Sequence, residues 1–244
     1  WNGLWPSKSE SVSIMSEVSL WTTLLLTFKV ALVTTFFLIL LGTPFAFWIS
    51  QRKGNKRAFL EAFVSLPLVL PPTVLGFYLL MAMGPEGPLG MMTDFLGIAP
   101  LTFTFTGLVV GSFFYSLPFA LTPLINAFSD DKLREPLEAA TLLGAGPIDR
   151  FFSITLPLCR RQFLMASTLS FAHTVGEFGV ILMIGGNIPG VTQLASLSIY
   201  DYVETMEYEK AHEISFIMLV LSFVLLAIVY KLNRNWELLK GGES

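Results

Sequence analysis

The sequence predicts an all-α integral membrane protein with about five transmembrane helices in one chain. Three observations predict it. Of 244 residues, 53% are apolar and only 14% charged, against about 45–50% and about 25% in an average soluble domain, and the mean hydropathy is +0.67. Five separate stretches are apolar over about 20 residues, the length that crosses a hydrocarbon core about 30 Å thick. Lysine and arginine gather in alternate connections between those stretches. The same composition excludes a disordered chain, which needs low hydrophobicity and high charge. A net charge of −3 is too small and of the wrong sign for a nucleic-acid partner bound through phosphates. One cysteine, Cys159, excludes a disulfide framework, and two histidines, His173 and His212, leave little for a metal site.

Residues 1–18 read as an extracytoplasmic leader. They lack a basic segment followed by a short apolar core, so they are not a secretory signal. Met15 is a candidate natural start. The membrane domain is expected over 19–234, with spans at 20–49, 59–83, 102–128, 162–184 and 214–230 and an inner loop at 129–161. A cytoplasmic tail, 235–244, is too short for a regulatory domain.

Orientation follows from basic residues in short loops. Arg52, Lys53, Lys56 and Arg57 lie in the first connection. Lys132, Arg134, Arg150, Arg160 and Arg161 lie in the third, and Lys231, Arg234 and Lys240 follow the last span. Only Lys8 and Lys210 fall on the other side, and Lys29 is inside the first span. Twelve against two puts the N-terminus outside and the C-terminus inside. Asp201, Glu204, Glu207 and Glu209 make the outer side acidic.

The inner loop carries the clearest local pattern. It reads Glu138-Ala139-Ala140-Thr141-Leu142-Leu143-Gly144, then nine residues, then Ile154-Thr155-Leu156-Pro157. Pro136 sits early in a helix, where its missing N–H is harmless, and Glu138 favours the positive end of that helix. Ala139 and Ala140 are small enough for another surface to approach closely. Gly144, Ala145 and Gly146-Pro147 end the helix and turn the chain. A second short helix, 148–154, should stop before Pro157. This pattern resembles the EAA–x3–G–x9–I–x–LP signature of ABC-importer permeases at every defined position.

That resemblance implies a type I ABC importer permease architecture, with Glu138–Gly144 and the Ala145-Gly146-Pro147 turn as the segment that couples the spans to an ATPase. Because the chain has no GxxxxGK[ST] phosphate loop, it binds no cofactor on this reading. ATP-Mg would sit on a partner subunit, and the chain would not be an enzyme by itself. Two copies of the permease would form a homodimer around the pathway. Two ATPase subunits would bind inside and an oxyanion-binding protein outside, with membrane lipid around the spans.

Two further stretches are similar to molybdate permeases, with sulfate permeases as near relatives. The second span contains Leu66-Pro67-Leu68-Val69-Leu70-Pro71-Pro72-Thr73-Val74-Leu75-Gly76. The fourth contains Gly176-Glu177-Phe178-Gly179, followed by Gly186-Asn187-Ile188-Pro189-Gly190. Molybdate, or the equally sized tungstate, is the cargo this implies. Sulfate is the alternative within the class. A membrane-embedded enzyme would need a cluster of His, Asp or Glu within the spans, and only His173 and Glu177 are available. A structural scaffold would need the inner-loop match to be accidental.

Read from the residues alone, Pro67, Pro71 and Pro72 interrupt the helical ladder. In lipid the freed carbonyls must face protein or a water-filled cavity. Pro71, Pro72 and Thr73 are therefore pathway or hinge candidates, with a passive kink as the alternative. Lys29 either snorkels to water or attracts an arriving oxyanion. His173 and Glu177, four apart, should share a helix face. Glu177 is read as a structural or gating group paired with His173 or bonded across a dimer, since a carboxylate repels a dianion. Gly176 and Gly179 permit close helix contact, and Asn187 is placed at the outer mouth. Ser and Thr in the spans are either pathway donors or bonded to their own helices.

Overall fold

The computed structural model describes residues 20–240, without the side chains of residues 230 and 232–240. The expected leader with Met15, and the last residues of the tail, lie outside the described residues. Among the described residues there is helix, turn and no strand.

Three helices are long and apolar enough to cross a membrane unbroken. These are α1 (Leu20–Ser50), α5 (Phe105–Phe128) and the first part of α11 (Tyr208–Lys240). The other two expected spans are each a broken pair. The second is α2 (Asn55–Val69) followed by α3 (Pro72–Met83) and the short α4 (Pro88–Phe95). The fourth runs from α7 (Pro147–Arg150) through a π-turn (Phe151–Thr155) and α8 (Leu156–Val175), then breaks before α9 (Gly179–Gly185). Between α5 and α7 lies α6 (Asp131–Leu142), and between α9 and α11 lies α10 (Ala195–Glu204). Five spans stand if each bent pair counts as one.

Each break has a local cause. A residue before proline is pushed out of the helical region, and Leu70 before Pro71 takes ψ 135°. Pro72 then opens α3, where no donor is needed. Pro67 stays inside α2. The fourth span corrects one expectation, because the chain does not stop before Pro157. Leu156 N–H bonds Phe151 O, five residues back. The widened π-turn accommodates the proline's missing donor, so the helix runs on to Val175.

The chain divides into two compact units. One gathers the described residues up to Leu32 with Pro72–Ser112 and Val175–Ser222. Its core packs Val30, Leu108, Ile181, Leu194 and Leu197, with Leu24, Ala195 and Ile214 in a second cluster. Here α3 and α9 lie against one another because glycine opens the space. A Cβ on Gly76 would meet Met183 Cβ at 2.9 Å and Val180 Cα at 3.2 Å, and one on Gly179 would meet Pro72 Cβ at 2.8 Å. The other unit comprises Val33–Pro71, Phe113–Thr174 and the chain from Phe223. Its core holds Ala46, Ile49, Val64, Leu121, Leu124, Phe128, Cys159 and Ala166, with Phe128 edge-on to Phe47 and Phe163. Large apolar side chains also face outward along α1, α2 and α11, as helices surrounded by lipid require.

Gly76→Val should destabilise the protein by about 1–3 kcal/mol through overpacking. The reading is a lower unfolding temperature of the purified chain in detergent. An unchanged value would mean that α3 and α9 are not tightly apposed.

Candidate functional site

The inner-loop signature folds into an exposed helix and turn. Asp130 caps α6 by accepting from Lys132 N–H at 3.0 Å, a strongly preferred cap type, and Leu133 anchors the helix by burial. At the far end, Gly144 is left-handed at φ 83°. Ala145 N–H bonds Ala140 O, and Gly144 N–H bonds Thr141 O, both at 3.0 Å. This pair of bonds is a Schellman closure, whose C′ position favours glycine. Gly146 precedes Pro147, which starts α7.

Glu138 is exposed and paired with Arg134 at 2.7 Å. The carboxylate's hydrogen bond and charge hold the Arg134 guanidinium above its ordinary value. Arg150 reaches back from α7 to donate to the Thr141 hydroxyl, which itself donates to Leu137 O at 2.6 Å. Leu142 and Leu143, at the apex, are 89% and 88% exposed. A polar recess of about 790 Å³ lies alongside, with Arg134, Glu138, Thr141 and Arg150 in its wall. Small residues, a fixed turn and two bare leucines suit this segment to close docking by another protein. The bare leucines were not singled out in the sequence.

The expected helix face shared by His173 and Glu177 is not present. α8 ends at Val175, so the shared helix face that the spacing requires ends two residues short of Glu177. His173 belongs to a relay in its own unit. Thr174 Oγ1 donates to Ser170 O at 2.9 Å, so it accepts the proton of Ser116 Oγ at 2.9 Å. Ser116 has one proton to give, so His173 Nδ1–H is the donor in the 2.9 Å contact with Ser116 Oγ. Phe119 stacks on the imidazole at 4.0 Å and Tyr115 tilts against it at 4.6 Å. The relay joins α5 to α8 across 57 residues of sequence, which no local pattern announces.

Glu177 sits in the other unit, in the break between α8 and α9. It is 2% exposed, and neither carboxylate oxygen has a hydrogen-bond partner among the described residues. The Ser112 hydroxyl is its polar neighbour, outside hydrogen-bonding geometry. The backbone here is secured: Ser196 Oγ donates to Glu177 O at 2.6 Å. After α9, Gly186 and Asn187 are both left-handed, at φ 63° and 54°. Asn187 Nδ2 donates to Asp201 Oδ2 at 2.6 Å and Gln193 Nε2 to the same oxygen at 3.0 Å. Burial pushes the Asp201 carboxyl above its ordinary 3.8, and the two amides pull it back. Asp201 was legible only as one acid among four on the outer side; its role as the tie of the Gly186–Gly190 loop was not.

Lys29 lies 4.9 Å above the Phe105 ring and is exposed, while Thr73 and Pro71 are also exposed and Pro72 is half-buried. Of the span hydroxyls, Thr27, Thr104 and Thr168 bond carbonyls of their own helices or turns. Thr34, Ser112 and Ser170 are buried without a partner among the described residues. No group of three or more metal-ligating side chains occurs among the described residues.

Comparison with known proteins places these features. The family model described as binding-protein-dependent transport system inner membrane component matches residues 39–237. The molybdenum transport system permease protein ModB of Azotobacter vinelandii is 53% identical over 209 residues, 86% of this chain and 92% of that protein. A probable sulfate transport system permease protein from a Helicosporidium species is 32% identical over 84% of this chain and 75% of its own. The crystal structure of a bacterial ABC transporter involved in alginate import has a chain that matches with TM-score 0.69. That match covers 96% of this chain and 85% of the other, at 15% identity, and so concerns the fold.

Two predictions follow from the local geometry. Gly144→Val should speed amide exchange at Gly144 and Ala145 about tenfold, since a left-handed β-branched residue costs on the order of 1–2 kcal/mol; Gly144→Asn should change it far less. Asp201 binds its proton more tightly folded than unfolded, so it withdraws stability as pH rises from 3.8 toward its raised folded value. Unfolding midpoints measured across that range should fall more steeply with pH for the parent chain than for Asp201→Asn.

Proposed function

The chain belongs to the binding-protein-dependent transport system inner membrane components, and on that premise we propose that it is the membrane-spanning permease of an ATP-driven molybdate importer. The observation that carries the cargo is 53% identity to a molybdenum permease along nearly the full length of both chains. The sulfate relative is much more distant at 32%. Tungstate has the same charge and shape and is accepted on the same reasoning.

The mechanism rests on two copies of the chain around a two-fold axis, since a closed symmetric pair is the simplest way for five spans to enclose a path. The nine basic residues of the first and third connections, with three more after the last span, argue that α6 and α7 lie on the cytoplasmic side. There Glu138, Ala139, Ala140, Gly144, Ala145, Gly146 and Pro147 form the coupling segment, one per ATPase subunit. Leu142 and Leu143 supply apolar contact, and the Schellman turn keeps the segment rigid enough to transmit a push. ATP-Mg binds and is hydrolysed on the partner. Closure of the ATPase pair rocks the spans between outward- and inward-facing states, a population shift driven by differential binding.

On the outer side, an oxyanion-binding protein delivers the cargo near the acidic rim of Asp201, Glu204, Glu207 and Glu209. The breaks at Pro71-Pro72-Thr73 and at Gly176–Gly179 supply the hinge and gate, because broken helices in a membrane line protein-filled or aqueous interiors. Glu177 serves there as a gating group that leaves the pathway when buried. His173, locked by Ser116, holds α8 against α5. Asn187 steadies the outer mouth, and Lys29 draws the anion toward it.

ATPase activity of the permease reconstituted with its ATPase and binding protein tests the proposal. Molybdate or tungstate should stimulate it and sulfate should not. Stimulation by sulfate alone would reassign the cargo and leave the importer intact. Glu138→Lys should abolish co-purification of the ATPase subunit, and undiminished co-purification would remove α6 from the coupling role.

A further inference from the structure

A cleft of about 540 Å³ opens between the end of α1 and the start of α2, lined by Trp48, Arg52, Asn55, Lys56, Phe59 and Leu60. It lies within one compact unit. Its lining holds two cations and no acid: among the described residues no ion pair engages Arg52 or Lys56, and Glu61, one turn beyond Arg57, is taken by that arginine at 2.7 Å. Arg52 Cζ lies over the Trp48 indole, 4.5 Å from the ring centroid, and Trp48 in turn stacks on Phe45 at 5.8 Å. Stacking occupies a face of the guanidinium and leaves its N–H edge free, the geometry that grips a phosphate.

Two apolar stripes run into this cleft. On α1, Phe37, Leu41, Phe45 and Trp48 are all exposed, at helical spacing that continues to Arg52. On α2, Lys56 is followed at the same spacing by exposed Phe59, Phe63 and Leu66. α1 is long and apolar enough to cross a membrane, and α2 passes the same test together with the bent segment after it, which puts both stripes at acyl-chain depth with a cation at the end of each where the headgroups begin. A free phosphate would use the cations and ignore the stripes. A zwitterionic lipid would bring its own cation to a site that already has two. The occupant that uses every feature has a phosphate of net negative charge and hydrocarbon tails.

We propose that Trp48, Arg52, Asn55, Lys56, Phe59 and Leu60 form a binding site for one anionic phospholipid, its phosphate held by Arg52 and Lys56 and its acyl chains laid along the stripes of α1 and α2. Basic pockets between spans bind anionic headgroups by this chemistry. The site requires only that the chain be embedded in a bilayer, and it stands whatever the cargo proves to be.

Native mass spectrometry of the full-length permease in detergent tests it, with phosphatidylglycerol and phosphatidylcholine of identical acyl chains. One phosphatidylglycerol should be retained about tenfold more strongly than phosphatidylcholine, and R52Q/K56Q should abolish the difference. K53Q/K132Q removes the same charge outside the cleft and should leave the difference intact. Phe59→Ala should weaken lipid retention without altering the charge. It also stands in for the double variant should that fail to match the parent's lipid-free melting temperature. Equal losses from both double variants would mean diffuse attraction and overturn the site. So would equal retention of both lipids, or displacement of the lipid by millimolar inorganic phosphate.

Discussion

In a bilayer core every backbone donor and acceptor must find its partner inside the protein, and this fold depends on how it meets that demand where its helices break. The breaks expose carbonyls and amides that an unbroken span would satisfy by itself. Within the unit that holds α9, several groups at the break and at the end of α9 are met by named partners. Ser196 donates to Glu177 O, Thr192 to Gly185 O at 2.6 Å, and Phe103 N–H to Ile184 O at 2.9 Å. Ile188 N–H is taken by the Thr192 hydroxyl at 2.9 Å. Short polar side chains in otherwise apolar sequence are the means by which a transporter keeps irregular backbone at membrane depth.

The two breaks differ in origin. At Leu70–Pro71 two successive prolines remove two donors and leave Leu70 extended, whereas the single Pro67 is carried inside α2. Between Val175 and Gly179 no proline intervenes, and the interruption rests on side-chain bonds and on the space that glycine leaves beside Pro72. The first is therefore fixed by covalent structure, and the second by contacts whose energies are of the order of single hydrogen bonds. A span held open by replaceable bonds is suited to rearrangement in a way that a proline corner is not.

What was legible in the sequence was local. Gly144 and Pro147 declare the end of one helix and the start of the next, because left-handed φ and a missing donor are properties of single residues. The five apolar stretches were legible from composition, and the helix break at Pro71 and Pro72 from proline's missing N–H. The shared helix face of His173 and Glu177 was misread because helical spacing was carried through Gly176, where the helix has already ended. The true partner of His173, Ser116, lies on another span, and the tie between Asn187 and Asp201 crosses a loop. Pro157 was read as a stop for a related reason, since a π-turn leaves no mark in composition.

The backbone N–H of Ala195, at the start of α10, is capped by the Thr27 hydroxyl from 168 residues earlier in the chain. That single bond sets an order of biogenesis. α1 leaves the ribosome and enters the membrane long before α10 exists, and Thr27 meets its partner only when the last connection arrives. The loop between the last two spans thus cannot reach its final form during its own synthesis unless the first span is already seated. Defects in early insertion would surface as disorder at the opposite end of the polypeptide.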